Sequence, residues 1–307
     1  MREFAPNLFQ RSLGRQSALV LSEWSHSYST SIPWFLRERR RPRTIEGLEE
    51  MIDKLRSALR NPKTAVRHLA LYLGKYTGNR GYRKFIVLAR SRTGSNLLIS
   101  ILNSPWSIVA RGEIFSRLNG RTPETSLANV FCRHPQYVKA VGFKIFYYHP
   151  QDDDSGRIWH LLQSMEDLCV IHLKRENILR TLVSRKIADR TNTWIQKETG
   201  ETIALSERRV RFTKDELLEG FQQTRGWENQ FDEAFRSKQL IQVTYEQLLA
   251  APQENFRRLA DALGVTSNAS RVPLKKQNPE SLSQLIENYQ DLKGSFAGTE
   301  WATFFED

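Results

Sequence analysis

The hydrophobic pattern of this chain alternates between two signals. Short apolar runs occupy residues 85–89, 106–110, 139–147 and 167–173. They are continuous rather than strictly alternating, the pattern of strands buried on both faces of a parallel sheet. Stripes with helical spacing fall between and after them. Leu97, Leu98, Ile101 and Leu102 form one; Leu179, Val183 and Ile187, flanked by Ile178 and Leu182, form a second. Residues 157–164, 215–235 and 254–263 read as further helices, the first capped by Ser155 and the second carrying Leu217, Leu218, Phe221, Trp227 and Phe231 as its core face. Strands alternating with helices predict an α/β fold of three layers, a central parallel sheet flanked by helices.

The first eighty positions differ. Residues 1–33 have no clear period, and an arginine-rich run then extends from Arg37 to Arg43. From Thr44, an N-cap, the stripe Ile45, Leu48, Ile52, Leu55 and Leu59 predicts an amphipathic helix that Asn61-Pro62 ends. A second helix over 65–73 leads to the glycine turn at 78–81. The expected division is therefore a basic, partly helical extension over 1–80 and a main domain over 81–307.

Composition narrows the class. A chain of 307 residues with 39% hydrophobic and 10% aromatic content can bury a sizeable core and is not disordered. The net charge of +12 favours anionic partners: nucleic acid, an acidic membrane surface or a polyphosphate cofactor. Cys132 and Cys169 are far apart, so neither a disulfide framework nor a structural zinc site is expected, and Cys169 reads as a buried thiol. No window reaches the ~20 apolar residues of a membrane helix, and nothing resembles a secretory signal. A cytoplasmic protein is expected.

The candidate chemistry lies at two strand–helix junctions. After the run at 85–89 comes a polar turn, Arg90, Ser91, Arg92, Thr93, Gly94 and Ser95, and then the first stripe. Such a turn directs backbone N–H groups and a helix dipole at one point, which binds anions; an ordinary capped turn has the same pattern. It is not a nucleoside-triphosphate loop, because no lysine follows Gly94. After 167–173, Arg175 closes the strand, Asn177 caps the next helix, and Arg180 and Ser184 share a helix side. Arg175 suits bidentate binding of a phosphate, and Ser184 can donate to it. Glu113 follows the second apolar run, on the edge where open α/β sheets bind ligands, although most such acids are solvated. Asp152, Asp153 and Asp154 read as a solvated turn, since no His or Cys spacing supports a metal. The stretch 190–213 reads as a loop, with Trp194 either its core anchor or a sugar-stacking platform.

ARSRTGSNLL at 89–98 and IHLKRENILRTLVSRKIA at 171–188 resemble the two phosphate motifs of the 3′-phosphoadenylyl-sulfate-dependent sulfotransferases. The likeness is greatest to the bacterial carbohydrate branch, which includes trehalose and nodulation-factor enzymes. RGEIF at 111–115, VTYEQLL at 243–249 and LKKQNPESLSQLIENYQDL at 274–292 fit the same pattern, so it spans about 83–305. The resemblance implies a P-loop-like fold and 3′-phosphoadenylyl sulfate (PAPS) as donor, with no metal. It implies a 5′-phosphosulfate loop of Arg90, Ser91, Arg92, Thr93, Gly94, Ser95 and Asn96, with Arg92 catalytic. Arg175 and Ser184 would hold the 3′-phosphate, and Glu113 would be the base. Lys275, Lys276 and Gln277 stand where vertebrate cytosolic members carry a basic C-terminal loop, whose Arg-Lys-Gly sequence is absent.

The implied acceptor is a hydroxyl of a carbohydrate or glycolipid, with no nucleic-acid partner. The run from Arg37 to Arg43 is either a solvated arm or a contact for an anionic membrane surface. Two other classes remain open at this point: a P-loop phosphotransferase, and a non-catalytic anionic lipid- or nucleic-acid-binding protein.

Overall fold

A computed structural model of the chain describes residues 62–193, 203–266 and 280–306. The arginine-rich run, the amphipathic segment from Thr44, Trp194, and Lys275, Lys276 and Gln277 lie outside them.

Five strands, β1 (Arg83–Ala89), β2 (Ile108–Arg111), β3 (Ala140–Phe146), β4 (Leu168–Lys174) and β5 (Gln239–Thr244), form one sheet in the order β2-β3-β1-β4-β5. Every pairing is parallel. β1 lies at the centre, so the turn that leaves it opens in the middle of the sheet's C-terminal edge.

The helices are α1 (Pro62–Thr77), α2 (Ser95–Leu102), α3 (Pro123–Val130), α4 (Arg157–Ser164), α5 (Ile178–Thr191), α6 (Leu205–Arg208), α7 (Lys214–Ala234), α8 (Tyr245–Ala250), α9 (Pro252–Ala262), α10 (Leu282–Leu285) and α11 (Tyr289–Ser295).

Alternation along β1 sorts the core into two layers. Ile86 and Leu88 join Val141, Phe143 and Val170 beneath α4 and α7, where Ile158, Leu162, Phe231 and Phe235 close the layer. Phe85, Val87 and Ala89 face the other way, with Cys169, Ile171 and Leu173, onto Leu98 and Leu102 of α2 and Phe256 and Leu259 of α9. A third cluster joins α5 and the start of α7 to the C-terminal segment, with Phe221, Phe296, Phe304 and Phe305. Cys169 is buried and both cysteines are free.

Three local expectations change. α1 runs Pro62–Thr77, longer at both ends than 65–73. Arg67 fastens it to the body, donating to the carbonyl oxygens of Asn103 at 2.8 Å and Ile108 at 2.6 Å. β2 starts only at Ile108, because Trp106 is 41% exposed and lies tilted against Tyr137, ring centres 6.2 Å apart, instead of entering the sheet. α4 has the expected bounds, but Gly156 in the left-handed region is its N-cap, and the Ser155 hydroxyl accepts from Arg157 N at 3.2 Å. Among the described residues no helix is long and apolar enough to cross a membrane.

Candidate active site

The turn after β1 is shaped by backbone before any side chain acts. Arg92 has φ 69° and Gly94 φ 85°, both left-handed, and α2 begins at Ser95 with Gly94 as N-cap. No side chain caps this helix, so neither Thr93 nor Ser95 takes that role. Thr93 instead turns inward, its hydroxyl donating to Arg90 O at 2.8 Å, which ties the turn into a closed loop. The first N–H groups of α2 are left pointing at the sheet edge, the arrangement that favours an anion.

The second junction reaches across to the first. Arg92 Nε donates to Ser184 Oγ at 2.9 Å, and Arg175 Nη1 donates to Arg92 O at 3.1 Å. The Arg175 guanidinium lies 4.6 Å from the centre of the Tyr245 ring, and its Nε faces Glu246 at 3.9 Å. That same ring rests against Gly94: a Cβ there would fall 2.3 Å from Tyr245 Cδ2. The loops after β1, β4 and β5 are thus fastened into one corner by Arg92, Gly94, Arg175, Ser184 and Tyr245.

Two guanidiniums share this corner. Burial lowers the pKa of Arg92, and the charge of Arg175 lowers it further, against an opposing pull from Asp189. Burial also lowers that of Arg175. Both stay charged at neutral pH, and Arg175 Nε has no hydrogen-bond acceptor among the described residues. Two half-buried guanidinium charges side by side are stabilised by an incoming polyanion. The donor set therefore suits a nucleotide bearing phosphate groups.

Glu113, on the loop after β2, is drawn to the turn by a residue that the sequence reading did not single out. Lys144 is in β3, its side chain 3% exposed; its Nζ contacts Glu113 Oε1 at 2.7 Å and donates to Asn96 Oδ1 at 2.6 Å. It projects from the face that packs on α2, as its neighbours Gly142 and Phe146 do. A lysine inside an all-buried strand is rare unless paired, and that was the available signal. Asn96 and Glu113 are thereby held on one cation.

Not every predicted residue joins them. Arg90 points to the opposite face, where its Nη1 contacts Thr224 Oγ1 and its guanidinium lies 5.7 Å from the Trp227 ring. Burial brings its pKa down to about 10. It anchors α7 to β1. Ser91 is buried beneath the turn. Arg180 stays beside the corner: its charge lowers the pKa of Arg175, and it donates to Glu280 O at 3.2 Å. Among the described residues no group of three or more His, Cys, Asp or Glu side chains could hold a metal.

A parallel sheet whose central strand opens into a turn at a helix start, with two guanidiniums beside it, is the layout of P-loop-like nucleotide-dependent transferases. Sequence comparison makes the class definite. The profile of the sulfotransferase family matches residues 85–269, and the chain belongs to that family, whose members take PAPS as donor.

Its similarity to curated proteins points the same way. It is 27% identical to nodulation protein H of Rhizobium tropici over 240 residues, covering 72% of this chain and 92% of the relative. It is 26% identical to nodulation protein H of Rhizobium meliloti over 239 residues, covering 73% and 95%. Among solved structures, a sulfotransferase from Alicyclobacillus acidocaldarius aligns with TM-score 0.42 and 13% identity, over 69% of this chain and 90% of the other.

Proposed function

We propose that this sulfotransferase moves the sulfuryl group of PAPS to a hydroxyl of a carbohydrate or glycolipid acceptor, with Glu113 as base. The observation that carries the reading is the meeting of Arg92, Arg175 and Ser184 in one corner, two of them within hydrogen-bond reach of Arg92. A nucleotide phosphorylated at both ends needs two anion grips at a fixed separation, and the paired junctions supply them.

In this reading the N–H groups at the start of α2, with Thr93, Gly94, Ser95 and Asn96, hold the 5′-phosphosulfate. Arg175 and Ser184 hold the 3′-phosphate. The acceptor oxygen bonds to sulfur as the bond from sulfur to the bridging phosphate oxygen breaks, and the acceptor proton passes to Glu113. Arg92 offsets the charge that gathers on the departing phosphate, and Lys144 fixes the Glu113 carboxylate beside it. Alignment and charge stabilisation suffice, as in phosphoryl transfer; the sulfuryl group carries less charge, so the reading requires no metal. Lys275, Lys276 and Gln277 complete the grip on the donor.

A hollow of about 660 Å³ opens where the loops after β2 and β3 meet, with Arg121, Glu124, Asp153 and Arg157 on its walls. Its walls mix charged and apolar side chains, and Glu113 is not among them. Residues 81–307 form the catalytic unit in the cytoplasm, and the run from Arg37 to Arg43 is a solvated arm or a contact for an anionic membrane surface.

Calorimetric titration of the whole chain with adenosine 3′,5′-bisphosphate and with adenosine 5′-phosphate tests the donor site. The bisphosphate should bind at least tenfold tighter; indistinguishable affinities overturn the assignment. Transfer of labelled sulfate from PAPS to a panel of oligosaccharides and glycolipids tests the acceptor class.

A further inference from the structure

α1 is apolar on two sides. One side is spent on the body: Leu71 packs on the core layer beneath α4, Arg67 bonds the start of β2, and Gly74 lies against Pro135. The other carries Val66, Leu69, Leu73 and Tyr76, exposed at 54%, 36%, 52% and 67%. Their spacing of three, four and three residues is the heptad stripe of a helix that expects a partner helix. Four such side chains in one line on one helix are not the scattered exposure of an ordinary surface.

We propose that this stripe is the seat of the chain's own segment 44–60, folded back on α1 as an antiparallel helical hairpin. The segment carries Ile45, Leu48, Ile52, Leu55 and Leu59, with the same three-four spacing. A turn at Arg60-Asn61, where Pro62 begins α1, sets the levels of the two helices. Leu55 then lies opposite Val66, and Ile52 opposite Leu69. One and two turns further on, Leu48 meets Leu73 and Ile45 meets Tyr76. Each layer combines the first apolar position of one heptad with the second of the other, as antiparallel packing requires, and all four α1 positions find a partner.

Charge agrees with this register. α1 contains no acidic residue, whereas the segment carries Glu46, Glu49, Glu50 and Asp53. The register puts Glu46 level with Lys75 and Asp53 level with His68. A tethered partner also has the advantage over a second copy. Its local concentration is on the order of millimolar, while a stable dimer needs roughly 800 Å² buried per partner. The inference is independent of the reaction assigned above.

The test uses the whole chain with Cys132→Ser. Ile52→Cys combined with Leu69→Cys should form a disulfide within one chain under mild oxidation. Asp53→Cys combined with Leu69→Cys, aimed off the seam, should form it at least tenfold more slowly. A disulfide-linked dimer, equal rates for the two pairs, or shielding of position 69 from maleimide only when phosphatidylglycerol vesicles are added would each overturn the proposal. Trypsin gives a reading that needs no cysteine. Cleavage after Lys54 and Arg56 should accelerate at least tenfold in Ile52→Asp relative to the wild-type chain, and unchanged rates reject the hairpin.

Discussion

Arg175 donates from Nη1 to the carbonyl oxygen of Arg92 at 3.1 Å, joining the turn after β1 to the end of β4. This bond ties the two proposed phosphate sites together: the residue that would hold the 3′-phosphate also contacts the backbone of the residue that would meet the leaving group. Because Arg92 sits at φ 69°, its carbonyl is turned out of the ordinary strand direction and becomes available to a neighbouring strand.

Arg175→Lys keeps the charge and loses the planar fork. Affinity for adenosine 3′,5′-bisphosphate should fall by about tenfold to a hundredfold, the 1.5–3 kcal/mol typical of a charge-assisted bond. Adenosine 5′-phosphate should lose much less. Calorimetry on both nucleotides decides it, and equal losses would reduce Arg175 to a support for the turn.

Gly94 is held by two constraints that can be separated. Its φ of 85° costs an alanine about 1–2 kcal/mol on its own. The added Cβ would also lie 2.3 Å from Tyr245, whose ring must move. Urea unfolding should therefore show Gly94→Ala losing more in the wild-type background than in Tyr245→Ala, where only the backbone cost remains. Additive losses would mean the ring yields freely.

The sheet was legible because strands buried on both faces write continuous apolar runs, and these fell within a few residues of β1, β3 and β4. β2 was misjudged at its start because Trp106 is apolar yet lies on the surface. The joining of Arg92 to Ser184 was foreshadowed by two basic strand ends, but nothing local could show Arg90 turning to the opposite face. Consecutive strand residues alternate sides, and which side an arginine at the strand's last turn takes depends on Thr224 and Trp227, more than 130 residues away. Lys144 was readable only as an oddity, a charge in an apolar run. Its partners arrive from two other loops.

Lys144 and Glu113 should behave as one unit. Glu113→Gln should lower kcat by about 10²–10⁴-fold, the usual worth of a general base, with bisphosphate affinity nearly kept. Lys144→Met releases the Glu113 carboxylate and the Asn96 amide, so it should lower kcat comparably. The double variant should then be little worse than either single one, since both remove the same assembly. A multiplicative loss would show that the two act separately.

Stability should fall in mild acid through two buried histidines. Burial, helped by the Lys144 charge, pushes the His149 pKa down to about 3. Burial pushes that of His134 down to about 4. The geometry adds to this at His149: the Phe146 amide donates to Nδ1 at 3.3 Å, and a protonated ring would lose that acceptor. The unfolded chain takes up these protons near the ordinary histidine value, about 6.5. The folded chain takes them up only near 4 and 3. The stabilising contribution is complete above that ordinary value and is lost as pH falls towards the folded ones, at about 1.4 kcal/mol per pH unit for each ring. Urea midpoints at pH 7, 6 and 5 should decline accordingly. His149→Asn, which can still accept from Phe146, should be less steep between pH 6 and 5 by about one ring's worth. An unchanged slope would mean that the folded His149 ring takes up its proton near the ordinary histidine value, as the unfolded one does.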